Sequence, residues 1–238
     1  MSLKIKPVLC RAGAMDNYAY IITDEASGIT AVVDASEAEP IKIMCDALKL
    51  KPSYILTTHH HFDHVGGNAE LKAEYGLKIV GPEAEKSLIP ELDIALKDGE
   101  FFQLGESKAQ VISAAGHTIG HILWYFPDDK VLFTGDVLFN LCIGGIFEGT
   151  PEQMWNSLQK IKALPDDVAF YAGHEYTAGA LRMAMARGQT PAMEKYLATA
   201  YSRLTRKEPN MPITLGLEKQ CNPYLMINDK EQFLQIFK

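Results

Sequence analysis

Four potential metal ligands directly after a short buried strand constrain this fold more than any other feature of the sequence. Residues 54–57 are apolar or β-branched and predict a buried β-strand. The residues that follow are Thr58-His59-His60-His61-Phe62-Asp63-His64. His59 and His61 are two positions apart, so their side chains point the same way if this segment is extended. The fold must therefore gather these groups at one strand end, where Gly66 and Gly67 leave room for a turn.

The chemistry of this run favours a pair of metal ions. Imidazole and carboxylate groups suit zinc, iron or manganese, and the run contains no thiolate. Four candidates within residues 59–64 cannot all reach one ion comfortably, so two ions that share the cluster are favoured. A surface histidine tract or a tag remnant is the simpler explanation. It fits poorly, because the run is internal, follows a predicted strand and includes an aspartate.

Three more candidate ligands each follow a later predicted strand. The pairs are residues 110–112 with His117, residues 130–134 with Asp136, and residues 168–172 with His174. In α/β architectures the loops at strand ends carry functional residues. The sequence therefore predicts that these three side chains join the histidine run.

Strand and helix patterns alternate over the first two thirds of the chain, which is typical of an α/β fold. Helices are predicted to begin at Pro40, Pro82 and Thr150. The last of these starts with the capping sequence Thr150-Pro151-Glu152-Gln153. Further strands are predicted at residues 18–23, 29–33, 77–80, 101–102 and 121–126.

The pattern changes after the last predicted strand, at residues 168–172. Residues 177–206 predict two helices, and the tail is predicted to be helical too. The sequence therefore divides into a mixed α/β domain at residues 1–174 and a small helical appendage at residues 175–238.

The bulk properties predict a cytoplasmic protein with a small-molecule partner. The net charge of −7 over 238 residues argues against nucleic acid or an anionic membrane as the main partner. No apolar stretch approaches the roughly 20 residues of a membrane helix, and the N-terminus lacks the apolar core of a secretory signal. The scattered cysteines favour reduced thiols. They are Cys10, Cys45, Cys142 and Cys221. We expect a monomer or a weak oligomer.

The run His59-x-His61-x-Asp63-His64 resembles the signature of the metallo-β-lactamase superfamily, and the later candidates occur in that superfamily's order. The resemblance implies a four-layer αβ/βα sandwich over residues 1–174. It also implies a hydroxide between two metal ions as the nucleophile, with Asp63 and Asp136 as catalytic residues. The implied ligands are His59, His61 and His117 for the first ion, Asp63, His64 and His174 for the second, and Asp136 as the bridge.

Further motifs are similar to those of glyoxalase II, the hydroxyacylglutathione hydrolases. They are Asp16-Asn17-Tyr18, Phe133-Thr134-Gly135-Asp136, Phe147-Glu148-Gly149-Thr150 and Gly173-His174-Glu175-Tyr176-Thr177. The helical appendage also resembles that family, so the resemblance covers nearly the whole chain. It implies hydrolysis of S-lactoylglutathione to D-lactate and glutathione, a step of methylglyoxal detoxification. It further implies two divalent ions per chain, zinc first, with iron or manganese as alternatives.

The substrate-binding part of the resemblance is less faithful. The family's lysine and tyrosine that grip glutathione fall on Gly145 and Phe147 here, whereas its other tyrosine is kept as Tyr176. Lys230 matches a C-terminal lysine, but Ile227 stands in place of an arginine. Each lost charge-assisted hydrogen bond to a carboxylate is worth roughly 1.5–3 kcal/mol.

Four other polar residues belong to the surroundings of the predicted centre. We expect neither His60 nor His121 to bind a metal directly, and we expect Cys142 to be structural. Asp34 ends a predicted strand, so it either orients a ligand histidine or occupies a simple turn.

Three alternatives stay open at this point. One is a thioesterase for another thiol carrier, which the missing lysine favours. Another is a persulfide dioxygenase-like enzyme with a single iron held by two histidines and one aspartate. The third is a non-catalytic binding module. Metal content separates them, because a hydrolase of this type needs two ions per chain.

Overall fold

Two six-stranded sheets and one hairpin form the framework of the molecule. The computed structural model describes residues 3–11, 13–185, 191–206 and 208–238. The strands within these residues are β1 (Leu3–Cys10), β2 (Asn17–Asp24), β3 (Thr30–Val33), β4 (Tyr54–Leu56), β5 (Lys78–Pro82), β6 (Ile94–Leu96), β7 (Phe101–Leu104), β8 (Ser107–Ser113), β9 (Ile122–Phe126), β10 (Val131–Gly135), β11 (Leu138–Phe139), β12 (Cys142–Ile143), β13 (Ala169–Ala172) and β14 (Ile213–Thr214). The first sheet has the order β1-β2-β3-β4-β5-β6, the second has the order β14-β13-β10-β9-β8-β7, and β11 pairs with β12.

Helices pack against this framework. Those in the described residues are α1 (Ala38–Leu48), α2 (Phe62–Val65), α3 (Asn68–Tyr75), α4 (Pro151–Lys162), α5 (Thr177–Met185), α6 (Pro191–Thr205), α7 (Leu215–Cys221) and α8 (Lys230–Gln235). The first three contact the first sheet, and α4 packs with α8. Among the described residues, none of the helices has both the length and the apolar character needed to cross a bilayer.

Alternating side chains of the first sheet fill two separate apolar layers. Ile21 and its neighbour Val32 pack with Ile41 of α1 on the outer face. Tyr20 and its neighbour Val33 point the other way, into a cluster shared with the second sheet. Because side chains alternate along a strand, strands that are covered on both faces are apolar at nearly every position. The two sheets therefore face each other, with helices outside.

The helix starts agree with the sequence in one case and differ in two. Thr150 caps α4 as predicted, since its hydroxyl accepts from the N–H of Gln153 and its own N–H donates to Gln153 Oε1. The helix predicted to begin at Pro40 begins two residues earlier, at Ala38. Proline is tolerated at this position because the N–H groups of the first helical turn have no helical partner, so the N–H that proline lacks is not missed. The helix predicted at Pro82 is a single 3₁₀ turn, Glu83–Glu85.

The C-terminal region is helical over most of its length but also contributes a strand. The two helices predicted within residues 177–206 are present in the described part, and residues 186–190 lie outside the described residues. However, β14 pairs antiparallel with β13, so the strand predicted as the last one is followed by another. A two-residue strand has no periodicity of its own, and only its long-range pairing defines it.

Glu218 joins these C-terminal helices to the β11–β12 hairpin. Its carboxylate in α7 is fully buried and accepts from the N–H of Leu141, at 3.2 and 3.1 Å, and from the hydroxyl of Tyr196, at 2.9 Å. Burial raises the pKa of Glu218 to about 7, because these donors offset only part of the cost of removing the charge from water.

We expect this residue to make the protein less stable as the pH rises from about 5 to 7. The carboxyl ionises in the unfolded chain near its usual pKa of 4.5 but keeps its proton in the folded state up to about pH 7. The contribution of Glu218 to the free energy of unfolding should therefore be largest below pH 4.5 and fall by about 3 kcal/mol through this window. In urea unfolding of the metal-loaded protein, Glu218→Gln should remove this decrease, whereas the exposed Glu231→Gln should not. An identical pH dependence of the free energy of unfolding in Glu218→Gln and the parent protein would contradict this prediction.

Candidate metal centre

Seven ionisable side chains from both sheets converge at one edge of the sandwich. The strands β3, β4 and β5 are parallel, so their carboxyl ends lie together, as do those of the parallel pair β10 and β13. The side chains lie after β4 (His59, His61, Asp63 and His64), after β8 (His117), after β10 (Asp136) and after β13 (His174). The topology thus brings together every metal ligand that the sequence predicted.

His59, His61 and His117 form the first group. Their nearest ring nitrogens lie within 4.8 Å of one another, and His61 Nδ1 is 3.0 Å from His117 Nε2. His59 and His117 are buried, whereas the His61 side chain is 23% exposed. This group therefore sits nearest to solvent at the mouth of the centre.

Asp63, His64 and His174 form the second group, which is buried throughout. His174 Nε2 lies 3.4 Å from Asp63 Oδ2, and His64 Nε2 lies 3.6 Å from the same oxygen. Asn17 holds the aspartate in place, because its Nδ2 donates both to Asp63 Oδ2, at 2.9 Å, and to the Asp63 carbonyl, at 3.1 Å.

Asp136 lies between the two groups and contacts both. Its Oδ2 is 3.4 Å from His117 Nε2 in the first group and 3.2 Å from His174 Nε2 in the second. Its Oδ1 is 3.3 Å from His64 Nε2. A single carboxylate at this position can serve two ions.

Hydrogen bonds on the outer side of the first group determine which ring nitrogens are free. The carbonyl of Gly145 accepts from His117 Nδ1 at 2.7 Å, and Glu148 Oε1 accepts from His61 Nε2 at 3.1 Å. Burial lowers the pKa of His117, which favours the neutral ring. A neutral imidazole that donates from one nitrogen has a lone pair on the other. The lone pairs of His61 Nδ1 and His117 Nε2 therefore face each other.

The other three rings have their hydrogen-bond partners in the same arrangement. Each has an outward nitrogen next to an acceptor and an inward Nε2. The pairs are His59 Nδ1 with Thr58 Oγ1 at 3.0 Å, His64 Nδ1 with Asp34 Oδ2 at 3.1 Å, and His174 Nδ1 with the Met15 carbonyl at 2.8 Å. Acceptors placed behind histidines in this way are typical of metal sites, where they fix the tautomer and the ring orientation.

The inward-facing atoms fit divalent metal ions. Within the described part of the chain, His59 Nε2, His64 Nε2 and Asp136 Oδ1 are buried without a hydrogen-bond partner. An uncompensated atom of this kind, such as His59 Nε2, costs about 1–3 kcal/mol, and the facing lone pairs of His61 and His117 repel each other in addition. A cation between these atoms removes both penalties. Nitrogen and carboxylate donors suit zinc, iron and manganese.

The proton affinities of the centre agree with this. Burial lowers the pKa of His59 well below its usual range, and the neighbouring His64 lowers it further. Burial alone would raise the pKa of Asp136, but His64 and His174 outweigh it and hold that pKa well below its usual range. Burial would likewise lower the pKa of His64, but Asp136 and Asp34 outweigh it and raise it. His64 thus holds a proton opposite Asp136 that a metal ion would displace.

Asp34 contacts a candidate ligand histidine, which is one of the two roles that the sequence left open for it. Its Oδ2 accepts from His64 Nδ1 and, at 2.7 Å, from the Thr58 hydroxyl, and its Oδ1 accepts from the Thr58 N–H at 2.8 Å. Its backbone has a φ of +52°, a conformation that favours glycine. These hydrogen bonds stabilise that conformation, so this aspartate is more than a simple turn residue.

The remaining predicted roles concern residues around the two groups. His60 points away from Asp136, and His121 Nε2 accepts from the Asp136 N–H at 3.1 Å. Cys142 is buried in β12, and burial raises the pKa of its thiol to about 12. Sequence reasoning missed the role of Asn17, although it lies in a motif that the sequence analysis identified.

The predicted substrate-binding residues lie in three different surroundings. The Tyr176 ring stacks on His174 with a centroid distance of 4.6 Å, and this tyrosine is 41% exposed. Phe147 is 73% exposed, and its ring lies 5.0 Å from the His117 ring. Lys230 forms an ion pair with Glu152 in the first turn of α4. The first two border the centre, whereas Lys230 already has an anionic partner.

Comparison with known proteins assigns the chain to a family. The model of the metallo-β-lactamase superfamily matches residues 12–174, and that of the hydroxyacylglutathione hydrolase C-terminus matches residues 175–235. Curated hydroxyacylglutathione hydrolases from Brucella ovis and Brucella abortus are each 44% identical over 96% of this chain and 88% of their own length. The chain belongs to the hydroxyacylglutathione hydrolase family. The family resemblance and the sandwich fold expected from the sequence are confirmed.

Solved structures of several relatives share the fold of this family member. BLEG-1, a B3 metallo-β-lactamase, matches with a TM-score of 0.72 and 21% identity over 94% of this chain and all of that chain. ETHE1 from Myxococcus xanthus matches with a TM-score of 0.72 and 22% identity over 98% of this chain and 89% of that chain. TTHA1623, solved in a di-iron-bound form, is 26% identical over 92% of this chain and all of that chain, with a TM-score of 0.65.

Proposed function

We propose that the chain hydrolyses S-lactoylglutathione to D-lactate and glutathione with two divalent metal ions. The observation that carries the proposal is the position of Asp136 between two groups of three side chains. One inward nitrogen in each group, His59 Nε2 and His64 Nε2, has no hydrogen-bond partner within the described residues. Family membership supplies the substrate class, because the 44% identical relatives are named for this reaction.

The proposed ligands are the seven side chains of the centre. Zinc is the proposed metal, and iron and manganese are the alternatives that the same donors accept. The di-iron-bound form of TTHA1623 supports iron as an alternative to zinc. The proposed sets are His59, His61 and His117 for one ion, Asp63, His64 and His174 for the other, and Asp136 for both.

The residues of the centre would divide the work as follows. When bound, two ions at these ligands supply a water of lowered pKa and polarise the thioester carbonyl. Asp63 and Asp136 would supply negative charge to the ions, Asn17 keeps Asp63 in position, and Asp34 keeps His64 in position. Tyr176 and Phe147 would border the acyl and thiol parts of the substrate at the open side. Lys230 would bind substrate only after leaving Glu152.

We also propose a division of labour between residues 1–174 and residues 175–238. The first segment would hold the ions. It contacts the second segment through the stacked rings of His174 and Tyr176. The second would bind the substrate. The two family models divide at the same place, which supports this boundary.

A hydrolysis assay over a panel of thioesters, with metals quantified on the same sample, tests the proposal. We expect turnover of S-lactoylglutathione above that of acyl-coenzyme A thioesters and about two metal ions per chain. Preference for another thiol carrier would favour a different thioesterase. One iron per chain, with oxygen consumption on a persulfide, would favour a dioxygenase.

A lysine and a tyrosine restored at Gly145 and Phe147 should tighten substrate binding. The double variant Gly145→Lys/Phe147→Tyr is expected to lower KM for S-lactoylglutathione by roughly tenfold or more, since each hydrogen bond to a charged group is worth about 1.5–3 kcal/mol. The atoms nearest to a Cβ at Gly145 belong to the exposed Phe147 ring, the closest at 2.7 Å, and this ring can move. Gly145→Met adds similar bulk without charge and serves as the control. Equal KM values for the lysine and methionine variants would contradict the prediction.

A further inference from the structure

Two glutamates and the middle histidine of the run take no part in the proposed chemistry, yet they are connected to it. Glu148 Oε1 lies 3.1 Å from His61 Nε2 and 3.2 Å from His60 Nε2. The opposite ring nitrogen of His60, Nδ1, lies 2.9 Å from Glu85 Oε2. Two hydrogen bonds, His61 to Glu148 and His60 to Glu85, and the close contact of His60 Nε2 with Glu148 thus link the four side chains, and this linkage ends on a proposed metal ligand.

Glu85 anchors the far end of this linkage in the protein interior. It is only 2% exposed, and a buried carboxylate is costly unless several donors surround it. Its Oε2 accepts from the His60 N–H at 2.6 Å as well as from the ring. Its Oε1 accepts from the Gly120 N–H at 3.1 Å and from the Thr118 hydroxyl. One carboxylate therefore fastens the loop of His61 to the loop of His117.

We propose that Glu148, His60 and Glu85 are positioning residues that set the affinity of the first metal ion. The inference rests on the ligand sets of the proposed function. Glu148 accepts the proton of His61 Nε2 and so directs the lone pair of Nδ1 inward, while His60 holds Glu148 in place from Glu85. Acceptors behind a ligand histidine typically contribute 10–100-fold to metal affinity.

The linkage of Glu85, His60 and Glu148 acts on the first ion and not on the second. The second group uses separate outward acceptors, since His64 donates to the buried Asp34 and His174 donates to the Met15 carbonyl. Glu148 is 33% exposed, whereas Asp34 is nearly inaccessible, so solvent competes only for the hydrogen bond behind His61. The first ion should therefore be the more weakly held, and its affinity should depend on these three residues.

The same atoms could in principle hold a third ion. Nitrogens of His60 and His61 and an oxygen of Glu148 lie within 4.8 Å of one another. A metal there would require His61 to give up its second ring proton while its other nitrogen binds the first ion. A hydrogen bond from His61 Nε2 to Glu148 needs no such loss, and we favour it for that reason.

Cobalt titration of the metal-free protein tests the proposal without any assay of turnover. Cobalt(II) binding is followed by its visible absorption and by competition with a chromophoric chelator, which gives a dissociation constant for each ion. Glu148→Ala should weaken one constant 10–100-fold and leave the other within about twofold, with two ions still bound. Glu148→Gln should be intermediate, because an amide oxygen still accepts a hydrogen bond.

Matched controls and a double variant complete the experiment. Glu152→Ala and Glu83→Ala, which change exposed neighbours of the two glutamates, should leave both constants unchanged. Glu85→Gln should weaken the same ion as Glu148→Ala, and the two effects should be non-additive in free energy because Glu85 acts on His61 through His60 and Glu148. If the buried change at Glu85 prevents folding, the exposed change at Glu148 still decides the matter.

Three outcomes would overturn the inference: unchanged constants in Glu148→Ala, equal weakening of both ions, or loss of a third bound equivalent. These outcomes are separate from failure of the proposed function. A parent protein that hydrolyses S-lactoylglutathione while Glu148→Ala binds cobalt normally would refute only the positioning role. A parent protein that binds two ions but cleaves no glutathione thioester would refute the proposed function and leave the cobalt constants interpretable.

Discussion

Asp136→Ala is expected to lower kcat for thioester hydrolysis by about 10³-fold or more and to reduce the bound metal below two ions per chain. Metal ions contribute several kcal/mol of transition-state stabilisation, and this carboxylate is the proposed link between both of them. Its oxygens lie 3.2–3.4 Å from ring nitrogens in both groups. Removing it leaves three histidines without their shared anion. Steady-state kinetics and metal analysis on the same preparation provide the measurement.

Two further variants separate the causes of this loss. Asp136→Asn keeps the shape but not the charge, so it should resemble the alanine variant if charge is what holds the ions. Asp128→Ala changes an exposed aspartate in the turn between β9 and β10 and should retain full activity. Circular dichroism distinguishes loss of metal from loss of fold. Near-normal turnover of Asp136→Ala would remove this residue from the centre.

The candidate metal centre was predictable from sequence because each of its proposed ligands follows a strand that has a local signal. His117 and His174 come after apolar segments, and the ends of parallel strands meet at a common edge. Asp34 could be recognised for the same reason, although the sequence could not decide between its two possible roles. In these cases the sequence shows a suitable residue type directly after a strand, and the fold brings that position to the shared edge of the sandwich.

The supporting residues were less predictable because their roles depend on contacts between distant segments. Glu85 lies in a 3₁₀ turn that the sequence represented only as a short helix, and its partners are 25 to 35 residues away in the chain. Asn17 contacts Asp63 across 46 residues. Nothing in the local pattern distinguishes such residues from ordinary polar surface residues. Burial of a polar side chain identifies them, and burial requires the fold.

The first strand was missed for a related reason. The edge strand β1 contains Lys4, Lys6 and Pro7, and its burial is interrupted at several positions, so its apolar alternation is weak. Charged residues and proline on an edge strand also discourage pairing with other chains. The features that protect the edge thus conceal the strand. The eight-residue pairing with β2 defines it instead.

Gly173→Ala is expected to inactivate the enzyme through the addition of a single methyl group. A Cβ at this position would lie 2.3 Å from Asp136 Oδ1 and 2.7 Å from His64 Cε1. The backbone cannot move away easily, because its N–H donates to the Gly135 carbonyl and its carbonyl accepts from the Tyr18 N–H, both at 2.8 Å. The carboxylate or the imidazole must therefore shift.

A displacement of about 1 Å in a catalytic group can cost roughly 10²-fold in rate, so we expect at least that loss of kcat. The second ion, whose proposed ligands include His64, should also bind more weakly in the cobalt titration. Gly179→Ala is the matched control, since a Cβ there meets nothing within 4 Å and the residue lies within α5. That change should leave activity intact and stabilise the helix by up to about 1 kcal/mol. Full activity with two bound ions in Gly173→Ala would mean that Asp136 can move despite its close packing. The bridging role of Asp136 would then need another explanation.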